Sequence, residues 1–504
     1  MQEVTEGRVP QKTTGIMQNI SGVFACVSGF EDKNGDNRSD KGVGESGVGE
    51  GMEQQGSKKN GITEGVIWKQ ILIFFFPILV GTFFQQLYNT VDAVVVGRFA
   101  GKEALSSVGG SSSQIINFVV GFFTGLSAGS TVIISQFYGA RNKERMHRAL
   151  HTAYGFSIAF GIIFGVIGVV FTPQILRAMN TPENLLADST LYVRIYFAGL
   201  IFILIYNIGS AILRAIGDSK RPLYYLMICC GINIVLDLVF VLVMRLGVLG
   251  VAVGTLVSQG VSAVLVTRTL VYHTEDLKLE LKKIRIEKEL MVTMLQIGLP
   301  TGIQSCMYNL SNIIVQTSLN ALGVDTMAAW TAFGKIDSMF WMMNGAYGIA
   351  VTTFVGQNFG AGKYDRVKKG TQICLAMSAG CALLFSALIM PFGTELFGIF
   401  TTDAAVVKTG LRMMHVISPT YFLFTFIEIY SGSLRAQGHV LISTIMTMTG
   451  VCLLRIVWTT CIVPNGTLEQ IIACYPITWV VTAVCMIVYY FYKQKRILAE
   501  HHAV

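Results

Sequence analysis

Residues 71–97 read ILIFFFPILVGTFFQQLYNTVDAVVVG, 27 residues with one charged side chain, Asp92. A helix rising 1.5 Å per residue needs about 20 apolar residues to cross a ~30 Å hydrocarbon core, so this stretch spans a bilayer with some to spare. Comparable runs recur to the C-terminus. Their punctuation by charged, Gly and Pro residues predicts helices near 70–97, 105–138, 149–172, 188–213, 223–244 and 248–270. Six more follow near 293–320, 327–358, 371–392, 409–434, 440–463 and 469–491. The fold class expected is an all-α membrane protein of about 12 transmembrane helices. Composition agrees, since 52% of the 504 residues are hydrophobic and 13% charged, against about a quarter charged in soluble domains.

The net charge of +8 does not point to nucleic acid, because Lys and Arg are spread among short loops rather than over one basic face. Alternate loops hold the clusters: Arg141, Lys143, Arg145 and Arg148; Arg214, Lys220 and Arg221; Lys278, Lys282, Lys283, Arg285 and Lys288; Lys363, Arg366, Lys368 and Lys369; then Lys493, Lys495 and Arg496. The positive-inside rule places those loops and both termini in the cytoplasm, with the chain in the plasma membrane. Residues 1–62 are polar, carry no signal-peptide pattern and read as a disordered cytoplasmic tail, with Met52 a candidate internal start. The ten cysteines lie mostly in apolar segments and suit packing.

The chain repeats itself. Pro77 pairs with Pro300 and Asn89 with Asn312 at an offset of 223, and Gln136-Phe-Tyr-Gly-Ala140 with Gln357-Asn-Phe-Gly-Ala361 and Leu213-Arg-Ala-Ile-Gly217 with Leu434-Arg-Ala-Gln-Gly438 at 221. Each half holds an even number of helices, so two six-helix lobes are expected, related by a pseudo-two-fold axis along the membrane normal. The lobes are placed at 63–272 and 293–492, with a cytoplasmic linker at 273–292 and a cytoplasmic tail at 493–504. Parallel lobes around a cleft are transporter architecture. No ATP-binding loop occurs, since Gly360-Ala-Gly-Lys363 lacks the spaced first Gly, so an ion gradient is the expected driving force. No H-E-x-x-H motif or metal-ligand spacing occurs either, and neither catalysis nor a cofactor is expected.

A charge in hydrocarbon costs at least ~2.5 kcal/mol, so each acid inside a span needs a reason. Asp92 lies six residues before Arg98 and Asp237 eight before Arg245, roughly 9 and 12 Å below the same face. Gln85, Tyr88, Asn89 and Asp92 form one stripe of helix 1, and Asn233 stacks on Asp237 at i, i+4. Thr255 lies at comparable depth; Asn207 adds an amide deeper down. Two carboxylates close together in low dielectric cannot both ionise cheaply, so the pair is expected to take up and release a proton, and the same oxygens suit Na+. The plainer alternative is that Asp92 caps a helix end and Asp237 bonds a neighbouring helix. Glu428 falls opposite Asn207 in the repeat and serves as a second-lobe site or an interhelical bond. Lys335 and Asp337 open helix 8 pointing apart, and Arg455 either snorkels or lines the cavity. The Gly-x-x-x-Gly steps through Gly121, Gly125 and Gly129 predict close helix approach.

From about Thr63 to Lys495 the chain resembles the multidrug and toxic compound extrusion (MATE) transporters, through Leu87-Tyr-Asn-Thr-Val-Asp92 with Gly97, Val355-Gly-Gln-Asn-Phe-Gly-Ala-Gly362, Leu213-Arg-Ala-Ile-Gly-Asp218 and Asn233-Ile-Val-Leu-Asp237. The resemblance implies a central cavity and export of amphipathic, often cationic, drug-like molecules in exchange for H+ or Na+, here by a monomer in lipid. It implies an ion-coupling set of Asp92, Asn207, Asn233, Asp237 and Thr255. Gln85, Tyr88, Asn89, Tyr192 and Glu428 would support the cavity, and helix 1 would hinge at Pro77. Tyr308 stands where another branch of the family has an acid, which leaves Glu428 without that partner. Three rivals remain: a flippase for lipid-linked precursors, for which a basic cavity would be expected; a channel; and a membrane enzyme.

Overall fold

The computed structural model describes residues 62–274 and 277–502. The tail expected before residue 62 and the candidate start at Met52 lie outside the described residues. Within them the chain is helical, with no strand. In the first half, α1 spans Ile67–Ala100, α2 Lys102–Gly139 and α3 Lys143–Ala178. Helix α4 comprises Glu183–Ala198 and Leu200–Ala215, α5 spans Lys220–Val243 and α6 Val248–Tyr272. In the second half, α7 is Lys288–Asn320, α8 Val324–Gly360 and α9 Tyr364–Ile389. Helix α10 comprises Ala404–Ile417 and Tyr421–Ala436, α11 is Val440–Ile462, and α12 comprises Leu468–Ile472 and Cys474–His502. Residues 493–502 therefore prolong the last helix.

Eight of these helices are long and apolar enough to cross a membrane, and α4, bent by 46° at Gly199, makes a ninth. The remaining three, α7, α8 and α10, carry more polar side chains along their length. Local signals set the ends. Asn142 accepts from the Arg145 N–H at 3.0 Å to start α3, Asp403 does the same for Ala405 at 2.8 Å, and Thr467 and Gln470 form a capping box. The connecting turns repeat along with the sequence. Gly101 and Gly323, then Gly217 and Gly438, take positive φ at matched positions, and Arg141 (φ 55°) adopts the conformation that Gly362 (φ 71°) adopts in the second half.

The two lobes exchange the basic-loop halves of their first helices. Ile71 and Phe74 of α1 are buried in the second-lobe core, where Phe75 stacks on Tyr347 at 4.0 Å, while Met294 and Ile297 of α7 are buried in the first-lobe core. These pairs stand 223 residues apart (294 minus 71, 297 minus 74). Bare backbone makes the crossing of α2 with α7 possible: a Cβ on Gly125 would lie 2.6 Å from the Gly302 nitrogen, and one on Gly129 would overlap the Met294 carbonyl. The close approach expected from the Gly-x-x-x-Gly steps is thus made across the lobes.

At the basic-loop end α2 crosses α8 in the same way, with Gly139 against the Gln357 carbonyl and Gly360 against the Gln136 carbonyl. Two matching hydrogen bonds close this end. Gln136 Nε2 donates to the Ala436 carbonyl at 2.7 Å, and Gln357 Nε2 to the Ala215 carbonyl at 2.6 Å.

Candidate functional site

Two helices of the first lobe change pitch just past an acid. Helix α1 becomes π-helical at Val96–Ala100, four residues after Asp92, and α5 at Leu238–Val243, immediately after Asp237. A π turn is a rare, widened turn that recurs at functional sites. Here it sits beside a buried carboxyl in both cases. Asp92, Asn233 and Asp237 are all buried, Asp237 and Asn233 at 0% exposure, and Thr255 of α6 closes the group.

The carboxyl groups of Asp92 and Asp237 are close enough to interact electrostatically, with Asn233 and Thr255 beside Asp92. Thr255 Oγ1 donates to Asp92 Oδ2 at 3.4 Å, a long bond. Asp92 Oδ1, both Asp237 oxygens and the Asn233 amide are buried without a protein hydrogen-bond partner. Such groups cost several kcal/mol unless a proton, ion or water satisfies them. Gly254 leaves room for the pair, because a Cβ there would stand 2.5 Å from Asp237 Oδ1. Among the described residues no three His, Cys, Asp or Glu converge on a metal site, so any cation here would rest on two carboxylates plus neutral oxygens.

Tyr88 and Tyr192 are buried within electrostatic reach of Asp92, and Tyr192 also within reach of Asp237. Tyr196 and Cys229 join them, though neither stood out in the sequence. The bend at Gly199, where Leu256 of α6 leaves no space for a side chain, swings Tyr192 and Tyr196 over Thr255. A narrow crevice lies there, lined also by Ile203, Ala252 and Gln259.

Other expected members lie along the same and neighbouring helices. Asn207 lies on the far half of the bent α4, 15 residues and about 22 Å of helix beyond Tyr192. Gln85 is half-buried, and Asn89 is exposed and paired with Gln86 at 3.5 Å. Pro77 lies within α1, which continues helical through it. Glu428 is in the second lobe, its carboxyl filling the space left by Gly348. Asp337, expected near the opening of helix 8, lies 13 residues past its start at Val324 and is held by Trp341 and Tyr421. Arg455 is buried, with Nη1 donating to Asn312 Oδ1 at 2.9 Å.

The sequence profile of the MatE family matches residues 77–239 and again 300–460. A probable multidrug resistance protein, YoeA of Bacillus subtilis, is 30% identical over 76% of this chain and 84% of its own length. The multidrug export protein MepA of Staphylococcus aureus (strain NCTC 8325) is 20% identical over 76% and 84%. Among solved structures, an outward-facing multidrug resistance MATE family transporter superposes with a TM-score of 0.81 at 21% identity, covering 88% of this chain and 99% of that one. A MOP superfamily transporter from Pyrococcus furiosus gives the same TM-score and coverage. The twofold match of the profile, the relative at 30% identity and the shared two-lobe helical fold together make this chain a member of the MatE family of multidrug and toxic compound extrusion membrane transporters.

Proposed function

We propose that this transporter is an antiporter that exports amphipathic, cationic small molecules in exchange for H+ or Na+ taken up at Asp92 and Asp237. The carrying observation is the pair of neighbouring buried carboxyls, three of whose four oxygens lack a protein partner. Two such groups share a proton or hold a cation more readily than both stand bare in low dielectric. With the basic loops in the cytoplasm by the positive-inside rule, the end closed by Gln136 and Gln357 is the cytoplasmic one.

The cycle follows from competition. In the outward-open state the ion enters from outside, neutralises the first lobe and displaces the cationic substrate; loss of the ion to the cytoplasm restores the negative charge that attracts the next molecule. Linkage requires that ion and substrate favour different states by roughly 1–3 kcal/mol. The aromatic wall of Tyr88, Tyr192 and Tyr196 suits flat cationic compounds. An acidic rather than basic lining disfavours the flippase reading, whose lipid-linked phosphates would be repelled. Efflux of a panel of cationic dyes from proteoliposomes, with pH and Na+ gradients imposed separately, tests the reading. Asp92→Asn and Asp237→Asn are expected to abolish gradient-driven efflux, and wild-type rates in both would refute it.

A further inference from the structure

The second lobe holds charges that the cycle above does not use. Arg455 is 2% exposed and lies in the four-residue α-helical stretch Leu454–Val457, between the π turns Met448–Leu453 and Trp458–Ile462 of α11. Its guanidinium stands over the Tyr475 ring at 4.2 Å, Nη1 donates to Asn312 of α7, and Nε is buried without a partner. Asp337 of α8 accepts from Trp341 Nε1 at 2.6 Å and from the Tyr421 hydroxyl at 2.5 Å. Trp479 links the two charges, 5.7 Å from the Tyr475 ring and 6.2 Å from each of Trp341 and Tyr421. Arg455 and Asp337 thus stand at the two ends of one chain of packed aromatic rings.

The repeat allows this group to be set against the first-lobe acids. At the offset of 223 that pairs Asn89 with Asn312, Asp92 pairs with Val315, which is fully buried. By the offset of 221, Arg455 falls at Ile234, next to Asn233, and Tyr475 falls at Gly254, against which Asp237 packs. Where the first lobe presents acids with unpartnered oxygens between α1, α5 and α6, the second lobe presents a cation between α7, α11 and α12. A guanidinium stays charged at any physiological pH, whereas a bound proton or metal ion exchanges.

We propose that Arg455 is a tethered cation: its guanidinium permanently fills, in the second lobe, the place an exchangeable cation takes beside Asp92 and Asp237 in the first, with Asp337 as its counter-charge across Tyr475 and Trp479. The comparison with the first lobe rests on the coupling role given to Asp92 and Asp237. On this account one lobe exchanges ions and the other is always loaded.

The test uses the full chain, purified in detergent, with thermal melting as readout so that no substrate need be known. Arg455→Ala is expected to lower the melting temperature by about 5 °C or more, as removal of one buried charge partner does. Guanidinium chloride at about 10 mM, far below denaturing concentrations, should recover at least half of that loss in Arg455→Ala and none in wild type, with NaCl at equal concentration inactive. Arg455→Ala/Asp337→Asn should melt near wild type without any addition. Failure of either the guanidinium rescue or the paired compensation overturns the assignment. Where Arg455→Ala does not accumulate, accumulation of the double variant is the deciding result, and its absence counts against the proposal. Asp92→Asn should leave the guanidinium response of Arg455→Ala unchanged, so an error in the first-lobe reading shows separately, as retained gradient-driven flux in Asp92→Asn alone.

Discussion

If the lobes move as bodies, the reciprocal bonds of Gln136 and Gln357 hold the basic-loop end shut, and replacing both with Ala should open it. Each amide-to-carbonyl bond, at 2.7 and 2.6 Å, contributes about 1 kcal/mol net. Losing both shifts the balance by about 2 kcal/mol, roughly a 30-fold change in the ratio of closed to open forms. Each single variant should give close to half that free energy, since the bonds stand at matched positions on separate helices. Spin labels at Glu144 and Asp365, exposed equivalents at the starts of α3 and α9, would report the separation of the lobes by pulsed electron resonance. The long-distance population should grow in the double variant. Gly360→Ala, whose Cβ would meet the Gln136 carbonyl, should move it the same way by wedging the helices apart. A distance distribution in Gln136→Ala/Gln357→Ala that matches wild type would refute the latch.

Three further expectations concern other parts of the molecule. Gly254→Ala adds a methyl against Asp237 Oδ1 without replacing an ionisable group; gradient-driven efflux in proteoliposomes should fall about tenfold, the coupling free energy dropping by roughly 1.4 kcal/mol, while detergent-solubilised yield stays near wild type. Gly125→Leu forces a side chain into the Gly302 backbone, and size-exclusion profiles should show loss of folded protein, because neither helix can yield without separating the lobes. In the linker, the Arg148 guanidinium bonds Glu287 at 2.9 Å and holds its carboxyl below the ordinary Glu range. A depressed value means that the stabilisation is present above the usual pH of ~4.3 and is lost as pH falls through the folded-state value, so proteolysis of the linker should accelerate only in that acid window. Arg148→Ala should remove the pH step, by a small amount since the pair is partly exposed.

The helices were legible because the bilayer imposes a rule on the chain one residue at a time: every span must be long, apolar and internally hydrogen-bonded. The runs near 70–97 and 223–244 correspond to helices within a few residues, and α7, α8 and α10 were found despite their polar content because charged, Gly and Pro residues punctuate them. Asp92 and Asp237 stood out for the same reason, each an acid in an otherwise apolar run. Asn207 lay deeper than the acids in the sequence and joined them only through the family resemblance; it stands on the second half of α4, past the bend at Gly199. Tyr196 and Cys229 had no signal, since an aromatic or a thiol in an apolar span looks the same whether it faces lipid, core or cavity. Asp337 and Lys335 do diverge as i, i+2 spacing requires, but the partners of Asp337 come from Trp341 one turn on and from Tyr421 of α10.

Sequence alone determined the solvent of this protein, its helices and their doubling, and the acids that needed an explanation, because each follows from local composition or from comparing the chain with itself. Tertiary structure alone decided which of those acids meet, how the lobes trade the starts of α1 and α7, and that a buried arginine occupies the second lobe. Those outcomes depend on the rotation and crossing of packed helices, set by contacts such as Gly125 on Gly302 and Gly199 on Leu256. Residues 177 and 57 positions apart make these two contacts (302 minus 125, 256 minus 199), and no single span encodes them.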